Sequence, residues 1–213
     1  MALIFDFDGV ICDSYGSVLV ALQSFNKEGK ILNNIDDIDK LRALDFLKIL
    51  QVFNIDHSQI GLAIAHVQNF LACNMDSLNV VAGVKEVLHE LHHLDIKMGI
   101  ITSNSSENVV NFLKKHEVNV FDFIVPAGLS NKGEILKEVM LKKQYEPKKV
   151  LYVGDETRDI LASQAAGVKS IAVGWGFNNK QLLLKHNPDY YIDTPNELVA
   201  IIQVLKAMEF ECE

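Results

Sequence analysis

Cysteine is scarce: Cys12, Cys73 and Cys212 are the only three in 213 residues, widely spaced and without a C-x-x-C pair. That excludes a disulfide framework and a cysteine-built zinc site, and makes a reducing cytoplasm the expected setting. No apolar run approaches the length needed to cross a bilayer. Acid at Asp6 and Asp8 directly follows the short apolar run at the start, so these residues are not expected to act as a signal peptide. There is no long run of Lys or Arg, and the formal net charge is −8. Nucleic acid and anionic membranes are therefore not expected as partners. A small anionic substrate stays open, because a bound divalent cation can reverse the local charge of a site. The chain also lacks a Pro/Gly-rich linker, an internal repeat and a low-complexity segment.

What is present is enough hydrophobic sequence, 49%, to build a sizeable core. Short apolar, β-branched runs at Leu3 to Phe5, Met98 to Ile101, Phe121 to Val125, Val150 to Val153 and Ser170 to Val173 read as strands buried on both faces. Helical stripes separate them, such as Val84, Val87, Leu88, Leu91 and Leu94, or Ile160, Leu161 and Ala165. The alternation predicts an α/β fold: a Rossmann-like open parallel sheet with helices on both faces. Between about Ser14 and Val80 the alternation stops. Three helical patterns fill that stretch, Val18 to Phe25, Ile35 to Phe53 and Ile60 to Phe70, with breaks and N-caps expected at Asn33-Asn34 and Asp56-His57-Ser58. The expected organisation is a catalytic α/β domain over 1–14 and 80–213, with a small α-helical domain, 15–79, inserted after the first strand.

The chemistry collects where the predicted strands end, which is where ligands bind in open α/β sheets. Strand one runs into Asp6-Phe7-Asp8-Gly9-Val10, strand two into Thr102-Ser103-Asn104, and strand four into Gly154-Asp155-Glu156-Thr157-Arg158-Asp159. Lys132 follows strand three and opens a helical pattern. An all-oxygen cluster of this kind suits magnesium together with a substrate phosphate. Lys132 can bridge Asp6 and a phosphoryl oxygen, and Thr102, Ser103 or Asn104 can donate to another. Gly9 marks a turn that lets Asp8 swing toward a leaving group and act as acid, then as base for water. Asp159 can cap the following helix or pair with Arg158, and Glu156 is a competing carboxylate.

These residues resemble, in order, the four motifs of the haloacid dehalogenase superfamily. The stretch Asp8 to Ser14, together with Gly174-Trp175-Gly176-Phe177 and Pro188-Asp189-Tyr190-Tyr191, resembles the subgroup that includes phosphoglycolate phosphatase and β-phosphoglucomutase. The resemblance implies that Asp6 is the nucleophile and Asp8 the acid/base. It also implies that Asp6, the Asp8 carbonyl and Asp155 bind Mg2+, with Asp159 behind them, and that Thr102 and Lys132 hold the phosphoryl group. The helical insert resembles the cap that closes over such sites. The sequence departs from many relatives at Lys132-Gly133, where they carry Lys-Pro. Asp8, where dehalogenases would differ, favours phosphate chemistry.

The expected activity is magnesium-dependent hydrolysis of a small phosphorylated metabolite through an aspartyl phosphate, by a monomer or weak homodimer. A phosphomutase and a non-catalytic phosphate-binding protein are the alternatives. Selectivity is expected on the cap, near Tyr15 and Arg42. His89-Glu90-Leu91-His92-His93 matches a zinc-protease signature, but its histidines share a polar helix face and no third ligand is evident. A glycosylation sequon, Asn104-Ser105-Ser106, is not expected to be used in the cytoplasm. Trp175 and Cys12 are expected to pack.

Overall fold

The structure is a computed structural model that describes residues 1–26, 35–127 and 131–210. In chain order the elements are β1 (Ala2–Phe5), α1 (Tyr15–Phe25), α2 (Ile35–Leu41), α3 (Phe46–Val52), α4 (Ile60–Cys73), α5 (Val84–His93), β2 (Lys97–Thr102), α6 (Ser106–Lys115), β3 (Phe123–Pro126), α7 (Lys132–Lys143), β4 (Val150–Gly154), α8 (Thr157–Ala166), β5 (Lys169–Val173), α9 (Lys180–Leu184), β6 (Tyr190–Ile192) and α10 (Asn196–Phe210).

The strands form one parallel sheet in the order β3-β2-β1-β4-β5-β6. The open parallel sheet expected from the sequence is therefore found. The apolar runs make it because alternate side chains feed opposite faces. In β1, Leu3 and Phe5 join one buried cluster with Leu88, Phe112 and Ile202, while Ala2 and Ile4 join another with Leu136, Met140 and Tyr152. The chain builds outward from β1 through β2 to β3, then crosses back to place β4 on the other side of β1. That reversal opens a crevice at the carboxyl ends of β1 and β4.

Helices α1 to α4 occupy the stretch between β1 and β2. Leu19, Leu50, Phe53 and Leu71 from these helices belong to the same buried cluster as Leu3 and Phe7, so the apolar interior is continuous from the helices into the sheet. The single helical pattern read from Ile35 to Phe53 is two helices. The first, α2, stops at Leu41, and Asp45 starts α3 afresh, its carboxylate accepting from the Lys48 backbone N–H at 3.0 Å. Asp56 caps the short 3-10 turn that leads into α4. The break expected at Asn33-Asn34 lies outside the described residues, as does Cys212.

Two strand expectations change. β3 starts at Phe123, not Phe121, because Asp122 is used in a turn: its N–H donates to the Met98 carbonyl and its carboxylate accepts from the Met98 N–H. β6 was not expected as a strand; it has three residues and exists only by pairing with β5 at the sheet edge. Ser105 caps α6, so the Asn104-Ser105-Ser106 sequon is a helix entry. No helix among the described residues is long and apolar enough to cross a membrane.

Candidate active site

β1 delivers Asp6 to the crevice. Its backbone N–H still pairs with the Val153 carbonyl at 2.8 Å, so the carboxylate is fixed by the sheet register. Phe7 then points away and anchors the loop, fully buried and edge-on to Phe112 at 5.1 Å. The chain turns tightly through Gly9, whose φ of 78° lies in the left-handed region. A side chain there would also collide with the Asp155 carboxylate and the Phe177 ring. The turn leaves Asp8 beside Asp6. Asp8 accepts from the Ser14 hydroxyl at 2.7 Å and from the Asn104 amide at 3.0 Å.

Lys132, at the first turn of α7, is 3% exposed and sits between two carboxylates. Its Nζ is 2.5 Å from Asp6 Oδ2 and 2.6 Å from Asp159 Oδ1. Burial pulls its pKa down, but Asp159 and Asp6 outweigh that and hold it well above the ordinary lysine value. Asp159 also accepts from the backbone N–H groups of Asp155 and Glu156 at the start of α8. It therefore caps the helix and anchors Lys132, and it does not pair with Arg158. Gly154 is required for this reason: a side chain there would run into that of Asp159.

Asp155 is fully buried. One carboxylate oxygen accepts from the Phe177 N–H at 2.6 Å, while the other, Oδ1, is buried with no partner. Oxygens of Asp6, Asp155 and Asp159 lie within 4.8 Å of one another. Burial first, and then Glu156, Asp159 and Asp6, push the Asp155 pKa well above the carboxylate range. Burial likewise raises Asp6 against the pull of Lys132, and Glu156 against that of Arg158. Asp8 is pushed up to about 6, chiefly by burial, with its Ser14 and Asn104 hydrogen bonds opposing. Five buried or half-buried carboxylates, Asp6, Asp8, Asp155, Glu156 and Asp159, thus face two cations, Lys132 and Arg158. The negative surplus and the unpartnered Asp155 oxygen fit a metal ion, which these carboxylates can hold.

Thr102 is fully buried at the end of β2, and its hydroxyl accepts from the Asn104 N–H at 3.0 Å. The Ser103 carbonyl accepts from the Gln68 amide of α4. Asn104, expected to face a phosphate, has its amide NH2 on Asp8 and its oxygen on Ser105 and Asn108. It is occupied in orienting Asp8. The sequence reading also missed Ser14 as an Asp8 partner and the pair of Glu156 with Arg158. A six-residue spacing around a turn carries no local signal, and the pairing of buried Glu156 with half-buried Arg158 depends on how the site closes around them.

Elsewhere the expected packing roles hold: Cys12 is fully buried, and the Trp175 indole donates to the Val10 carbonyl at 3.2 Å. Tyr15 packs against Phe177, with Arg42 over its ring. Arg42 also donates to the Gly176 carbonyl, so both residues join the helical insert to the loop after β5. His92 and His93 are exposed, and His89 is half-buried; among the described residues the Asp6, Asp155 and Asp159 group alone gathers metal-binding side chains.

Residues 3–173 match the family described as haloacid dehalogenase-like hydrolase. The chain belongs to that family. A phosphoglycolate phosphatase from Synechococcus elongatus is 32% identical over 96% of this chain and 99% of its own. A pyrophosphatase PpaX from Bacillus pumilus is 25% identical over 94% and 95%. Among solved structures, a predicted phosphatase from Clostridium acetobutylicum shares the fold with a TM-score of 0.80 at 20% identity, covering 95% of this chain and 97% of that one. This family member is a hydrolase of the phosphatase kind, and its carboxylate cluster is its candidate catalytic centre.

Proposed function

We propose that the protein is a magnesium-dependent phosphatase in which Asp6 attacks the phosphorus of a small phosphate monoester. The observation that carries this reading is Lys132, held by Asp6 at 2.5 Å and Asp159 at 2.6 Å beside the unpartnered oxygen of Asp155. A buried lysine that stays charged restrains the nucleophile and offers positive charge to a phosphoryl oxygen. Asp6, the Asp8 carbonyl and Asp155 would hold the Mg2+, with Asp159 fixing the loop behind them. When bound, the ion neutralises carboxylate and phosphoryl charge.

In the first step an Asp6 oxygen bonds to phosphorus and the ester P–O bond breaks. Asp8 gives its proton to the leaving alkoxide. A pKa pushed up to about 6 keeps part of Asp8 protonated near neutrality, which suits an acid that must then act as base. In the second step water attacks the aspartyl phosphate, Asp8 takes its proton, and the bond from phosphorus to Asp6 breaks to release phosphate. Thr102, Ser103 and Lys132 hold the phosphoryl oxygens, whereas Asn104 holds Asp8.

Residues 15–79 act in this reading as a cap over a core of 1–14 and 80–213. Hydrogen bonds from Gln68 to Ser103 and from Asn178 to the Leu44 carbonyl support it, since they tie the insert down beside the strand ends. A reducing cytoplasm and a monomer or weak dimer complete the proposal. Asp6→Asn should lose magnesium-dependent phosphate release from an aryl phosphate, with its circular dichroism and melting curve retained. Undiminished turnover in that variant would reject Asp6 as nucleophile.

A further inference from the structure

Asn108 is buried in the first turn of α6, and both hydrogens of its side-chain NH2 are used. One goes to the Asn104 oxygen at 3.0 Å and the other to the Gln68 carbonyl of α4 at 2.9 Å. Its backbone N–H donates to the Ser105 hydroxyl at 3.2 Å. The residue is therefore held by its own helix, by Asn104 and by the helical insert.

What Asn108 fixes is the direction of Asn104. The Asn104 oxygen accepts from the Ser105 N–H at 2.8 Å as well as from Asn108, which leaves its NH2 end to donate to Asp8 at 3.0 Å. Turned over, Asn104 would set its NH2 against two donors and its oxygen against the Asp8 carboxylate. With the Ser14 hydroxyl on its other oxygen at 2.7 Å, Asp8 is gripped from two sides. An acid that must meet a leaving oxygen depends on such a grip, since a misplacement of about 1 Å can cost about 100-fold in rate.

We propose that Asn108 is a positioning residue: by holding the Asn104 oxygen it keeps Asp8 aimed at the leaving group. The proposal rests on the phosphatase reading above, in which Asp8 gives its proton to that group. Asn108→Asp keeps the size of the side chain and replaces its donors with acceptors. Asn104 should then turn its NH2 to the new carboxylate and offer its oxygen to the proton that the leaving group needs. An acid in the first turn suits a helix N-terminus, so α6 should still form.

The test compares phenyl phosphate with 4-nitrophenyl phosphate, using wild type, Asp8→Asn, Asn108→Asp and Asn108→Ala with Mg2+. The ring is the same, but phenolate is a strong base that needs a proton on leaving, whereas nitrophenolate departs without one. The readout is kcat/KM, which covers the steps through formation of the aspartyl phosphate. Asp8→Asn should lose about 100-fold more on the phenyl ester than on the nitrophenyl ester. Asn108→Asp should lose about 10-fold more, and Asn108→Ala, which removes the same donors without adding a charge, about threefold more. If Asp8→Asn shows the split while both Asn108 variants lose equally on the two esters, or lose nothing, Asn108 has a structural role alone and the proposal is overturned. If Asp8→Asn shows no split, or wild type cannot cleave the phenyl ester, Asp8 is not acting as the acid and the inference falls with that assignment. If wild type releases phosphate from neither ester, the phosphatase reading itself falls.

Discussion

Asp155→Asn offers a sign test of the site's electrostatics. Asp155 has oxygens within 4.8 Å of those of Asp6 and Asp159. At that separation two like charges repel by about 3.5 kcal/mol at an effective dielectric of about 20. Lys132 lies against Asp6 and Asp159, and Arg158 against Glu156, so part of the field is already offset. Burial and its neighbours hold the Asp155 pKa high, so without metal the wild type bears either this repulsion or the cost of protonating Asp155, and a net relief of about 1–3 kcal/mol is expected when the group is made neutral. The asparagine can keep the hydrogen bond from the Phe177 N–H, and its NH2 group then stands where the unpartnered oxygen was. In metal-free buffer near neutrality the variant should therefore be more stable than wild type. For a chain of this size that is a Tm rise of about 3–10 °C. With Mg2+ at 100 times its Kd, wild type should gain about 2.7 kcal/mol, and the variant should gain almost nothing. Phosphate release should be lost. Differential scanning fluorimetry with and without EDTA reads all of this. A variant that melts below wild type without metal, or that gains as much from Mg2+, would refute the charge-deficit argument.

Two further outcomes follow from the same arrangement. Lys132→Met leaves Asp6 and Asp159 buried without their cation, and should cost about 3–5 kcal/mol in urea unfolding as well as the activity; a loss under about 1 kcal/mol would show that the pair is not balanced by this lysine. For Asp8, the folded pKa of about 6 against 3.8 means that the folded protein binds the proton more tightly. Its contribution to stability is then full below the unfolded value and is lost as pH rises through about 6, at most about 3 kcal/mol. Metal-free wild type should lose ground to Asp8→Asn between pH 4.5 and pH 7, and a flat difference across that window would contradict the raised pKa.

Much of this was legible in the sequence because it is local. A buried strand needs a continuous apolar run, and a helix needs a stripe, so β1, β2, β4 and β5 could be read from Leu3 to Phe5, Met98 to Ile101, Val150 to Val153 and Ser170 to Val173. Polar residues at the abrupt ends of those runs marked the rim of the crevice. What could not be read is what depends on partners distant in the chain. β6 is defined by its pairing with β5 at the sheet edge. The meeting of Asp6 and Lys132 spans 126 residues and was inferred only from motif order.

The sequence by itself determined the α/β alternation, the helical insert, and which residue types stand at the strand tips. Their periodicities and turn residues act over a few positions and need no distant contact. Only the tertiary structure decided what each acid does. Asp159 caps α8 and grips Lys132, Asn104 orients Asp8, and Glu156 takes Arg158 while one Asp155 oxygen is left free. Those roles come from burial and from which charges are brought within reach, and a buried carboxylate differs from an exposed one only once the chain has closed around it.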